Sequence, residues 1–140
     1  MEGYSRAVSA YLFDTTLLLD YMKNPPDPPP GGLAEEVFQL TSTASYSPIS
    51  EAEVWTGRMT REEEVKLSAL LSVCQFAPLT SEAARRAGEL LRNKDRSQIK
   101  AHFADALIAA TAALRSELVA TADARSHRVF GDQVQYKVYR

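Results

Sequence analysis

A chain of 140 residues with 45% hydrophobic residues predicts one compact domain over residues 1–140, and it excludes a tail, a fibre or a tandem array. The single cysteine excludes an internal disulfide, and the longest apolar helix candidate is shorter than the roughly 20 residues of a membrane span, so we expect a cytoplasmic protein without membrane contact. The net charge is −2, but residues 1–84 carry −7 and residues 85–140 carry +5, so any nucleic-acid contact must use a local basic surface.

The first predicted elements are a buried strand and a helix that follows it directly. Apolar residues run without interruption from Ala10 to Phe13. Apolar side chains then recur at helical spacing, at Leu17, Leu18, Tyr21 and Met22. Asp14 separates the two segments. A buried carboxylate costs several kcal/mol unless it is hydrogen-bonded, neutralised or bound to a cation, so Asp14 needs such a partner.

The next segment is rich in proline. Residues 24–32, NPPDPPPGG, contain five of the seven prolines, which predicts a stiff, exposed connector that is partly polyproline II. Docking of an SH3-like partner is the less favoured interpretation. Leu33 to Leu40 is predicted to be a second helix, and residues 45–50, SYSPIS, a short strand.

The remaining elements alternate between helix and strand. Capping-box patterns at Ser50–Glu53 and Thr60–Glu63 predict two helix starts. Residues 74–79, CQFAPL, read as a strand before a helix from about Ser81 to Asn93, and residues 103–115 form a buried helix that is apolar nearly all round. Residues 117–123 and 134–139 supply the last strands. This alternation predicts an α/β sandwich around a mostly parallel, roughly five-stranded sheet.

Four acids are expected near the carboxyl ends of these strands, where ligands bind in such sheets. They are Asp14, Glu53, Asp105 in the first turn of the alanine-rich helix, and Asp123. Singly, each has a structural explanation as a helix-start, capping-box or turn residue. Together, they point to an oxygen-ligand site for one or two Mg²⁺ or Mn²⁺ ions, because hard cations prefer carboxylate oxygens.

Four segments resemble the ordered motifs of PIN-domain ribonucleases, particularly the VapC-like toxins of toxin-antitoxin pairs. The segments are YLFDTTLLLDYM, ISEAEVWTG, FADALIAATAAL and VATAD. The resemblance covers nearly the whole chain and implies a single PIN-like domain with an α/β/α sandwich fold. It matches Asp14, Glu53, Asp105 and Asp123 to the acidic metal-binding quartet of the family, and Thr121 to the polar residue before the last acid. Thr16 stands where the family commonly has Asn or Ser.

The resemblance implies a function as well. It implies Mg²⁺- or Mn²⁺-dependent cleavage of single-stranded RNA that leaves 5′-phosphate and 3′-hydroxyl ends, a small antitoxin partner, and a homodimer. Two basic groups are then candidates for binding phosphates, although the first is equally explained as a solvated helix face. They are the run Arg85, Arg86, Arg92, Lys94, Arg96 and Lys100, and the group Arg125, His127 and Arg128. We expect His127 to be a surface residue and Trp55 to pack in the core rather than at an interface.

Other functions remain open. A catalytically silent PIN-like interaction module would have the same fold. An aspartate-based phosphoryl-transfer protein is disfavoured, because Thr16 stands where a D-x-D motif needs its second acid. A receiver domain is disfavoured because residues 74–80, CQFAPLT, offer no phosphoacceptor after the third strand.

Overall fold

The computed structural model describes residues 10–23 and 44–139, and its centre is a parallel sheet. The strands are β1 (Tyr11–Phe13), β2 (Ala44–Tyr46), β3 (Gln75–Phe76), β4 (Leu118–Thr121) and β5 (Tyr136–Val138). Their order across the sheet is β3-β2-β1-β4-β5, and every neighbouring pair is parallel. The predicted α/β fold is therefore confirmed, and β1 is the central strand.

Helices connect the strands, as a parallel sheet requires. The described residues contain α1 (Thr15–Lys23), α2 (Pro48–Trp55), α3 (Arg61–Val73), α4 (Ser81–Leu91), α5 (Arg96–Leu114) and the short α6 (Arg125–Arg128). The predicted connector at 24–32 and the predicted helix at 33–40 lie outside the described residues. No helix in the described part is long and apolar enough to cross a membrane.

Helices cover both faces of the sheet, because successive strand side chains point to opposite faces. Leu12 and Val119 pack with residues of α4 and α5 in one core cluster. The neighbouring strand residues Phe13 and Ala120 pack with residues of α1, α2 and α3 in the other. An apolar layer on each face therefore packs against β1 and β4. This packing fixes the positions of the residues that directly follow these strands.

The helix after β2 begins earlier than the sequence patterns predicted. Ser47 is its N-cap, and the Ser47 hydroxyl accepts the backbone N–H of Ser50 at 3.2 Å. The predicted capping box at Ser50–Glu53 is therefore wrong, because Ser50 already lies in the first turn. Pro48 occupies the first helical position, where its fixed φ and missing N–H are tolerated. The other predicted box, Thr60 with Glu63, is present in full.

The alanine-rich helix also begins earlier than expected. Asp95 caps α5 by accepting the backbone N–H of Gln98 at 2.9 Å, so Asp105 is not in the first turn of this helix. The backbone of His102 is non-helical, with φ −115° and ψ 16°, which kinks α5 there. Asp105 therefore lies about one turn beyond this kink, in the second segment of α5.

Candidate active site

Asp14 lies at the carboxyl end of the central strand and starts α1. Its backbone N–H continues the β1–β4 pairing by donating to the carbonyl of Ala120 at 3.0 Å. Its Oδ1 accepts the backbone N–H of Leu17 at 3.0 Å and the hydroxyl of Thr16 at 2.9 Å. Asp14 is only 2% exposed, so its carboxylate is both a helix cap and a buried charge.

The second oxygen of Asp14 contacts a buried histidine. His127 Nε2 lies 3.0 Å from Asp14 Oδ2, and the His127 side chain is fully buried. The expectation that His127 is a surface residue is therefore wrong, and so is its assignment to phosphate binding. Its neighbours Arg125 and Arg128 are exposed, because a short helix against the sheet turns only one side inward.

Two threonine hydroxyls join the ends of β1 and β4. Thr16 Oγ1 lies 3.0 Å from Thr121 Oγ1 and accepts the backbone N–H of Ala122 at 3.1 Å. Thr121 Oγ1 in turn accepts the backbone N–H of Asp123 at 3.0 Å. This polar link fixes the turn after β4, so Asp123 is held on the same side of the sheet edge as Asp14.

Asp105 projects from α5 and is partly buried, with 25% of its side chain exposed. Its Oδ2 lies 3.2 Å from His102 Nδ1. Burial, the largest cause, raises the pKa of Asp105 above its ordinary value of 3.8, and the negative charge of Asp14 adds to the rise. The hydrogen bond to His102 acts in the opposite direction. Asp14 is therefore close enough for its negative charge to act on Asp105.

The remaining two acids are more exposed. Glu53 lies on the exposed side of α2, and its Oε1 accepts the hydroxyl of Thr15, the residue after Asp14, at 2.5 Å. Arg125 donates to both carboxylate oxygens of Asp123, with Nη2 2.8 Å from Oδ2 and Nε 3.0 Å from Oδ1. Hydrogen bonds through Thr15, Thr16 and Thr121 connect the segments of Asp14, Glu53 and Asp123, and Asp105 interacts electrostatically with Asp14. Each of the four acids has a hydrogen-bond partner.

The carboxylate oxygens of these acids are the type of ligand that a hard divalent cation prefers. Asp14 and Asp105 offer carboxylate oxygens, and a cation would offset the negative charge of Asp14 that helps to raise the pKa of Asp105. Within residues 10–23 and 44–139, no group of three or more His, Cys, Asp or Glu side chains is arranged to hold a metal ion. Mg²⁺ commonly takes only one or two protein carboxylates and keeps several waters, so a pair of acids such as Asp14 and Asp105 would be enough in number to hold it. Asp123 would first have to release Arg125.

Two functional candidates, Thr15 and His102, were not found from the sequence, and neither was the contact of His127 with Asp14, although His127 itself was a candidate for phosphate binding. Thr15, His102 and His127 contact Glu53, Asp105 and Asp14 respectively. The position of Thr15 beside Asp14 was a usable signal, whereas the contacts of the two histidines depend on the packing of α5 and α6. Trp55, expected in the core, is 44% exposed, because α2 turns Val54 inward and Trp55 outward.

The basic run predicted between residues 85 and 100 lies on the surface. Arg85 and Arg86 are exposed on α4, and Arg96 and Lys100 are exposed on the first turns of α5, before the kink. The run therefore leads along α5 toward His102 and Asp105. Phosphate binding by this run stays a prediction, beside its interpretation as a solvated helix face.

Comparison with known proteins places this arrangement in context. Residues 11–131 match the family model of the PIN domain. No curated protein matches the chain in sequence. Among solved structures, a chain in DNA-bound VapBC from Salmonella typhimurium superposes with a TM-score of 0.68 at 18% identity, covering 95% of this chain and 100% of that one.

Two further structures are similar. A chain of VapBC2 from Rickettsia felis, bound to a promoter DNA fragment, gives a TM-score of 0.68 at 17% identity and covers 94% of this chain and 99% of that one. VapC20 from Mycobacterium tuberculosis, a toxin that cleaves the Sarcin-Ricin loop, gives 0.60 at 21% identity, with coverage of 89% and 92%. Because these sequence identities are low, the similarity to the solved structures establishes a shared fold only.

Proposed function

Because the chain belongs to the PIN domain family, we propose that it is a Mg²⁺- or Mn²⁺-dependent endoribonuclease, acting in the cytoplasm as the toxin of a toxin-antitoxin pair. The proposed ligands are Asp14, Asp105 and Asp123, with Glu53 as a ligand or as the group that orients water. Thr16 and Thr121 support them. The substrate is single-stranded RNA.

The observation that carries this proposal is the buried carboxylate of Asp14. Its position at the end of the central strand, 2% exposed, is costly for a charge whose only purpose is to start a helix. An exposed Ser or Thr performs such capping at no comparable cost, as Thr60 and Thr80 do at α3 and α4. The negative charge of Asp14 acts on a second acid, Asp105, and a bound cation would offset this unfavourable interaction.

The residues perform distinct tasks in this proposal. Asp14 and Asp105 would hold a divalent cation, which would supply a more acidic water and would offset negative charge at the phosphodiester. Asp14 is held in one orientation by Leu17 N–H, Thr16 and His127, so its ligand oxygen needs no reorganisation. Glu53 is exposed beside Thr15, so it can contact and orient an approaching water.

Cleavage should depend strictly on divalent metal. We expect the purified protein to cleave structured RNA at single-stranded loops with Mg²⁺ or Mn²⁺, and EDTA to slow cleavage by at least about 100-fold, because several kcal/mol of transition-state stabilisation are lost. Gel analysis of end-labelled RNA measures this. The Asp14→Asn protein, purified identically, controls for contaminating nucleases. Cleavage that persists in EDTA would contradict the metal-dependent mechanism.

The proposed toxin role has a cellular consequence. The similar structures include VapBC complexes, and the proposed partner of this chain is a small antitoxin. We expect expression of this chain alone to slow growth of its host severely, and the Asp14→Asn variant at equal protein level to relieve the effect. Growth curves after induction measure this. Unimpaired growth with abundant, active wild-type protein would contradict the toxin assignment.

The proposed homodimer uses exposed apolar residues such as Trp55.

A metal-free interaction module is the second candidate. The observation in its favour is that Arg125 engages both oxygens of Asp123 and His127 contacts Asp14, while Thr15 and His102 contact the other two acids. All four carboxylates therefore already face cationic or donor groups. This candidate requires that wild-type protein neither binds Mn²⁺ nor cleaves RNA. The EDTA experiment therefore distinguishes the two.

A further inference from the structure

His127 is placed to control the carboxylate of Asp14. Its Nε2 lies 3.0 Å from Asp14 Oδ2, and the ring is fully buried. An ionised carboxylate only accepts hydrogen bonds, so Nε2 must carry the proton and donate it. Its other ring nitrogen, Nδ1, is buried without a hydrogen-bond partner among the described residues. The contact with Asp14 is thus the hydrogen bond that anchors the imidazole.

The hydrogen bonds that the Asp14 carboxylate accepts determine which of its oxygens can still bind a cation. Each carboxylate oxygen accepts about two hydrogen bonds. Oδ1 already accepts two, from the backbone N–H of Leu17 and the hydroxyl of Thr16. Among the residues that the structure describes, Oδ2 accepts one hydrogen bond, from His127. A cation at Asp14 would therefore bind through Oδ2, the atom that His127 holds.

The surroundings of His127 keep the ring in place. Its backbone N–H donates to the carbonyl of Ala124 at 3.0 Å, and its carbonyl accepts the N–H of Phe130 at 3.1 Å. The ring lies against Tyr136, with 6.0 Å between the ring centroids. An apolar ring would fill the same space without burying an unpaired nitrogen, which is unfavourable. The site therefore favours a donor toward Asp14 over packing alone.

We propose that His127 is a positioning residue, which orients the Asp14 carboxylate so that Oδ2 serves as a single metal-ligating oxygen. This inference rests on the proposed function. Partners that orient a metal ligand typically change metal affinity by about 10- to 100-fold when they are removed. Its loss should therefore affect metal binding more than RNA binding.

The test compares His127→Phe, which keeps a ring but lacks the donor, with His127→Gln, which keeps an N–H donor. Tyr136→Phe is the matched control, because it preserves the ring against His127. Melting curves across a Mn²⁺ titration give the concentration at which the melting temperature rises by half its full amount. We expect His127→Phe to raise this midpoint about 10- to 100-fold, and His127→Gln to restore it to within a few-fold of wild type. Tyr136→Phe should leave it unchanged.

A kinetic and a spectroscopic readout complete the test. His127→Phe should lower kcat for RNA cleavage at a fixed Mn²⁺ concentration with little change in KM for RNA. In wild-type protein with ¹⁵N-labelled histidine, Mg²⁺ should shift the Nε2 signal of His127, which the His127→Gln spectrum assigns. This measurement stands even where His127→Phe fails to fold.

The opposite results would overturn the proposal. A folded His127→Phe protein with the wild-type Mn²⁺ midpoint, or an Nε2 signal that ignores Mg²⁺ in a protein that binds it, would leave His127 with packing alone. If wild-type protein shows neither Mn²⁺ stabilisation nor cleavage, the proposed function itself fails, and the role of His127 fails with it.

Discussion

Replacing Asp14 with Asn should reduce RNA cleavage by about a thousandfold or more while leaving the protein folded. The loss follows because an amide cannot supply the negative charge that holds a divalent cation at this position, and several kcal/mol of transition-state stabilisation disappear. The fold should persist, because Asn is as good an N-cap as Asp and still accepts the backbone N–H of Leu17. Cleavage assays with saturating Mn²⁺ measure the effect.

The stability of the same variant separates capping from catalysis. Asp14→Asn turns an N–H₂ group or a neutral oxygen toward His127, so we expect the free energy of unfolding in EDTA to fall by about 1 to 3 kcal/mol. Asp14→Ala should lose more, because the cap is removed as well. Asp20→Asn, exposed on α1, is the control and should change neither property. A less stable Asp14→Asn protein that cleaves normally would make Asp14 a structural cap only.

Asp105→Asn should also abolish cleavage, by at least about 100-fold, but with the opposite effect on stability. Burial raises the pKa of Asp105, so its ionised form is unfavourable in the metal-free fold. An Asn removes that charge and keeps an oxygen within reach of His102. The free energy of unfolding in EDTA at pH 7 should therefore equal or exceed that of wild type. Urea denaturation measures it, with the exposed Asp132→Asn as control.

The pH dependence of folding stability follows from the same raised pKa of Asp105. A pKa that is higher in the folded than in the unfolded chain means that Asp105 favours folding fully below its ordinary value of 3.8 and loses this contribution as pH rises through the folded pKa. The advantage of Asp105→Asn should thus be absent at low pH and grow as pH rises through that range. An Asp105→Asn protein that is less stable than wild type at pH 7 in EDTA would contradict the interpretation that the ionised Asp105 carboxylate is unfavourable in the metal-free fold.

Local sequence patterns predicted the sheet well, and they placed Asp14 at the end of a strand. Uninterrupted apolar residues from Ala10 to Phe13 mark a strand buried on both faces, and β1 is indeed the central strand. Asp14 at its end could be placed because parallel strands deliver their carboxyl ends to one edge. The start of α2 was misplaced although Ser47 before Pro48 was a readable signal.

The contacts between distant segments were not predictable from local patterns. Asp95 and Gln98 gave a capping signal, but the polar residues around them lack the apolar periodicity of a buried helix, so the start of α5 was missed. His127 is 113 residues from Asp14 in sequence, and its burial depends on how α6 packs after β4. Periodicity carries no information on such a contact.

Binding of Mn²⁺ is the most direct test of the proposed metal centre. Isothermal titration of wild type, Asp14→Asn, Asp105→Asn and Asp20→Asn with Mn²⁺ at pH 7 should show saturable binding in wild type and Asp20→Asn. Asp14→Asn and Asp105→Asn should each bind at least about tenfold more weakly, because each lacks one anionic ligand. Equal Mn²⁺ affinity in all four proteins, or RNA cleavage by a wild-type protein that binds no Mn²⁺, would contradict the proposal that these acids form a metal-dependent nuclease centre.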